Sequence, residues 1–182
     1  MDIPWPRTGD QLFKAGGHGA LRAMVVTGLS VAATGYKDGA DALVERLSET
    51  GRNDALIFPI VFCYRQYLEL KLKAVGQILR VLSAENFRKI HDLNKLWEPV
   101  REALAAKLDP SETGPLDAVA ACIAEMNSIH PGSVAFGYPE FEDVLRVGHQ
   151  IDLANLMSVM MRVAAFLDAA EDAVESSGDS AV

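Results

Sequence analysis

Arg65, Glu69 and Lys73 stand four residues apart inside an otherwise apolar run. On a helix this spacing lines the three side chains along one side of the axis. Charges embedded there need partners, because an unpaired buried charge costs several kcal/mol. Two arrangements would satisfy them. Arg65 and Glu69 could neutralise each other at the edge of the core. Alternatively, the polar line could face a cleft where Arg65 and Lys73 meet an anion while Glu69 orients Arg65. Further on, Arg88-Lys89-Ile90-His91-Asp92 places two cations and an imidazole just ahead of a helix start. Helix-terminal N–H groups there could converge with them on a phosphate. Packing or capping is the plainer role for His91.

Other chemistries lack their residues. His18, His130 and His149 show no HxxxH or HxxE spacing, so no metal site is expected. Gly16-Gly17-His18-Gly19 has no GxxxxGK[ST] nearby, which excludes a phosphate-cradling P-loop, and Gly28-Leu29-Ser30-Val31-Ala32 lacks the second glycine of a nucleophile elbow. Cys63 and Cys122 form no CxxC pair and are expected as buried free thiols. Met157, Met160 and Met161 read as core filling. No cofactor is expected.

The elements that must position these groups are helices. Asp54 to Leu82 is the strongest, with Val61, Leu68, Val75 and Leu82 seven apart, Tyr64, Leu72 and Leu79 on the same stripe, and apolar residues on other sides of the wheel. A helix that is apolar nearly all round belongs at the buried centre of a fold. Pro59 falls in its first turns, where a missing N–H is tolerated. Asp92 is placed as an N-cap for a following helix through Leu93, Leu96, Trp97, Val100 and Leu104, kinked but not stopped at Pro99. Pro115 opens another through Leu116, Val119, Ile123 and Met126, and a last long helix carries Leu153, Leu156, Met157, Met160, Ala164 and Leu167. Near the start, Gly28, Gly35 and Gly39 each cost about 1 kcal/mol in a helix interior. They predict a kink or break near Gly35 before helix resumes over Ala40 to Leu47. Gly132 to Gly148, with Phe136, Tyr138 and Phe141, resists a helical reading. The expected fold is all-α: one compact helical bundle of about five to six helices over residues 1–182, with one short irregular aromatic segment and flexible ends at about 1–8 and 176–182.

The 182 residues are 49% hydrophobic and 23% charged, enough for one core without metal or disulfide. Apolar stretches such as Ala55 to Cys63 and Leu153 to Met161 fall short of the ~20 residues a membrane span needs. The first residues lack the pattern of a signal peptide, so a cytoplasmic location is expected. A net charge of −8 argues against indiscriminate nucleic-acid binding. Yet Tyr64 to Lys95 holds seven cations against three anions, while Val163 to Val182 has five carboxylates and no cation. A basic middle suits an anionic ligand or, more simply, a solvated helix face.

Three runs carry a family resemblance: Phe58 to Lys73 (FPIVFCYRQYLELKLK), His91 to Trp97 (HDLNKLW) and Ser133 to Pro139 (SVAFGYP). Together, over roughly Tyr36 to Leu167, they resemble uncharacterised prokaryotic proteins that look HEPN-like. The resemblance implies a helical bundle that dimerises or meets a partner protein and handles RNA or a nucleotide in a toxin–antitoxin or anti-phage system. Many HEPN domains are metal-independent endoribonucleases with an Arg-x(4–6)-His motif. No arginine here stands five to seven positions before a histidine, and Gly137 stands where similar sequences tend to show an arginine. A catalytic pair would therefore be Arg65 and His91 brought together in space, with Glu69, Lys73, Arg88 and Tyr138 binding. The alternative is a catalytically inactive interaction or dimerisation module.

Overall fold

The computed structural model describes residues 28–50, 54–82, 89–107, 113–129 and 151–178. These form five α-helices: α1 (Leu29–Thr50), α2 (Ile57–Ile78), α3 (Leu93–Ala105), α4 (Gly114–Ile129) and α5 (Leu153–Gly178). A 3-10 turn, Asp54–Leu56, leads directly into α2. There is no strand among the described residues. The aromatic segment Gly132 to Gly148 lies outside them.

α2 is the centre, packed against α1, α3 and α5, while α4 bridges α3 and α5. Its apolar residues explain this position, because Ile60, Val61, Tyr64, Tyr67, Leu68, Leu72 and Val75 are all buried. No single face could bury them, so neighbours must surround the helix. Each large aliphatic side chain taken out of water contributes about 1.5–3 kcal/mol. α3 shows the simpler one-sided pattern, burying Leu93, Leu96, Trp97, Val100 and Leu104 at three- and four-residue intervals. The helix runs through Pro99 without stopping. α4 buries Leu116, Val119, Ile123 and Met126, and α5 buries Met160, Val163, Ala164 and Leu167.

α5 is long and apolar enough between Leu153 and Val174 to cross a membrane by length and composition. In the bundle it packs against α2, and it carries Asp168 and Glu171, which both pair with Lys71 of α2. The two half-buried cysteines are free thiols.

Two boundaries differ from the sequence expectation. α1 is one unbroken helix through Gly35 and Gly39. Nothing lies within 4 Å of where a β-carbon would sit at either position. Packing of Ala33, Ala40 and Val44 against the core outweighs a propensity cost of about 2 kcal/mol for the two glycines.

α2 ends at Ile78, although the apolar spacing continues to Leu82. Arg80 adopts the left-handed conformation with φ of 56°. Its N–H donates to the Gln77 carbonyl, and the Val81 N–H donates to that of Gly76, both at 3.0 Å. This is a Schellman cap with arginine where glycine is usual. Leu82 then folds back over Gly76, where a β-carbon would collide with its side chain. Since left-handed geometry costs a non-glycine residue about 1–2 kcal/mol, Arg80→Gly should raise the unfolding free energy by about 1 kcal/mol. Urea denaturation would check this, and no gain would mean that the cap does not hold Arg80 in that geometry.

Candidate functional site

The i, i+4, i+8 spacing on α2 places Arg65, Glu69 and Lys73 on one line, and the fold turns that line inward. Arg65 is 1% exposed, Glu69 4% and Lys73 5%. Glu69 gathers the other groups. Its Oε2 accepts from Arg65 Nη1 at 3.1 Å, and its Oε1 accepts from Lys73 Nζ at 2.8 Å. His91, on the turn before α3, brings Nδ1 to 2.9 Å from the same Oε1. Arg65 also donates through Nη2 to the His91 backbone carbonyl at 2.6 Å.

The structure therefore brings Arg65, Glu69, Lys73 and His91 together. Arg65 and Glu69 form the self-satisfying pair and do not face an open cleft. The imidazole is the exposed member, with 44% of its side chain accessible. Arg88 and Tyr138 lie outside the described residues. Burial pushes the Glu69 carboxyl up, but hydrogen bonds from Lys73 and His91, with the charge of both, outweigh it and hold its pKa below the ordinary 4.5. The group in contact with the imidazole is the Glu69 carboxylate, itself held between the Arg65 and Lys73 cations. Lys89 and Lys95, both exposed, flank His91 in sequence. Both oxygens of Glu69 already accept from cationic donors, which leaves this carboxylate poorly disposed to ligate a metal.

Two N–H groups at the start of α3 are taken by the protein's own oxygens, the capping arrangement expected of Asp92. Asp92 caps the helix, its Oδ1 accepting from the Lys95 N–H at 3.1 Å. Asn127 of α4 accepts from the Leu93 N–H at 2.9 Å. With a carboxylate at the cap, an anion gains little there.

Sequence reasoning missed three polar links that brace this region. Asn127 is buried in α4, and a lone amide on the apolar side of that helix was the available signal. Tyr64 donates to Asp41 Oδ1 at 2.6 Å, and Asp41 also pairs with Lys37 at 2.7 Å, joining α1 to α2. Lys71, 5% exposed, binds Asp168 and Glu171 on α5. Glu171 also accepts from Ser30 of α1. Part of the acidic tail thus neutralises part of the basic middle.

A carboxylate-anchored imidazole at a surface is equipped for proton transfer. Comparison with family models, with curated proteins and with solved structures finds no match for this chain.

Proposed function

We propose that this is a HEPN-like protein that handles RNA, acting in the cytoplasm as a homodimer or with a partner protein in a toxin–antitoxin or anti-phage system. The observation that supports this reading is the half-exposed His91 imidazole, anchored on the buried Glu69 carboxylate. In a metal-independent cleavage, His91 Nε2 takes the proton of a ribose 2′-hydroxyl as that oxygen attacks the adjacent phosphorus. The P–O5′ bond breaks, the departing oxygen takes a proton from water, and a 2′,3′-cyclic phosphate remains. Arg65 is sealed from substrate, so it serves this chemistry by holding Glu69 and the His91 carbonyl. Glu69 and Lys73, buried in the same network, support the imidazole rather than touch RNA, and Arg88 and Tyr138 are the proposed binding residues.

The test is incubation of the purified chain with RNA oligonucleotides in the presence of EDTA. Cleavage is expected, reduced by about 10²–10⁴-fold in His91→Ala, the usual contribution of a general acid–base group. Absence of both binding at low salt and cleavage would end this reading. The lack of an arginine five to seven positions before a histidine favours a second one, an inactive module that contacts itself or another protein. A monomer at high concentration in sedimentation, with no co-purifying protein, would weigh against it.

A further inference from the structure

Glu69 offers His91 nothing but lone pairs. Its carboxyl is held in the ionised form by the network around it, and an ionised carboxylate only accepts. An imidazole nitrogen 2.9 Å from such an oxygen must carry a hydrogen, because a lone pair there would face another lone pair. The hydrogen bond made by one ring nitrogen sets the state of the other.

From this geometry we infer that Glu69 is a positioning residue that locks neutral His91 in the Nδ1–H tautomer and so makes Nε2 its acceptor atom. Free histidine in water favours the opposite tautomer, so the preference is imposed by the fold. Lys73 keeps the Glu69 carboxylate from rotating away by binding the same Oε1. Arg65 fixes both ends of the contact, holding Glu69 through Nη1 and the His91 backbone through Nη2. The dyad thus has its acceptor on the helix interior and its proton acceptor on the ring. Any imidazolium formed at Nε2 is stabilised by the carboxylate behind it. The catalytic meaning of this tautomer rests on the reading of His91 as the acid–base group, whereas the tautomer itself does not.

The experiment is NMR of the full chain labelled with 15N-histidine at about pH 8, where an ordinary imidazole is neutral. The four histidines are separated by assigning His91 from the signal lost in His91→Asn. Wild-type His91 is expected as the Nδ1–H tautomer. Finding it as Nε2–H would overturn the inference. In the triple variant Arg65→Met, Glu69→Leu, Lys73→Met, which leaves no acceptor at position 69, the signal should shift toward the Nε2–H form, and an unchanged tautomer would remove Glu69 from the role. The wild-type measurement stands whether or not that variant folds. The two readings fail separately. An Nδ1–H ring on a chain that neither binds nor cleaves RNA leaves the tautomer lock and removes the nuclease, while cleavage by a chain with an Nε2–H ring does the reverse.

Discussion

Glu69→Gln is expected to lower the free energy of unfolding by about 3–5 kcal/mol, the range for breaking a buried ion network at one member. Glu69 accepts from Arg65 and Lys73 and lies against the His91 ring. The amide that replaces it loses the negative charge and turns one acceptor oxygen into a donor. Two buried cations would then face a neutral group. Chemical denaturation measures the loss, and a change below about 1 kcal/mol would show that solvent reaches the network. The pH dependence has a definite sign. With the folded pKa below the unfolded one, the carboxylate's contribution is complete above about pH 4.5 and disappears as pH falls through the folded value. Wild type should therefore lose stability on acidification below 4.5 more steeply than Glu69→Gln does.

Removing the whole network is a different matter from removing one member. Desolvation of buried charges often exceeds their mutual attraction, so apolar replacement of an ion pair or triad is commonly neutral or stabilising. Arg65→Met, Glu69→Leu and Lys73→Met together should stay within about 2 kcal/mol of wild type while each single change costs more. A folded triple variant with an unanchored His91 would show that these charges serve the imidazole more than the fold.

Most of the architecture was legible because it depends on apolar spacing. The stripes on α2, α3, α4 and α5 each demanded a buried face, and Asp92 and Pro115 marked two helix starts. The failures have specific causes. A local glycine penalty at Gly35 and Gly39 predicted a break that packing of Ala33, Ala40 and Val44 overrides. Periodicity through Leu82 outlasted the helix because leucine suits both a buried helix face and a side chain folded back over Gly76, and Arg80 gave no glycine signal for the cap. In the site, the Arg65–Glu69–Lys73 ladder was readable from its period. The His91 contact was not, because it depends on how the chain returns from the end of α2 to the start of α3. Lys71 and Glu171 are 100 positions apart, and composition alone showed only that one region was basic and the other acidic.

Lys71 carries the second large effect, and Lys71→Met is expected to cost about 2–3 kcal/mol, at or just below the ~3–5 kcal/mol for a fully buried pair broken at one member. The asymmetry of its partners sets that figure. Asp168 has 59% of its side chain exposed and can return to water, whereas Glu171 has 13% and would be left with Ser30. Tyr67 cannot replace the ammonium: burial, then the charges of Asp168 and Glu171, push its phenol pKa up, and a phenol is either neutral or negatively charged. For Lys71 itself, burial lowers the pKa but the two carboxylates more than offset it, leaving the ammonium above its ordinary 10.5. Its stabilisation is therefore complete below pH 10.5 and is lost as pH rises through the folded value. Alkaline denaturation separates this pair from the Glu69 network. Wild type should lose stability above that pH, Lys71→Met should not show that component, and Glu69→Gln should retain it. Because Lys71 and Ser30 together fasten α5 to α2 and α1, the same substitution should raise amide exchange along α5 first. Uniform exchange across all five helices would mean that the bundle opens as one unit.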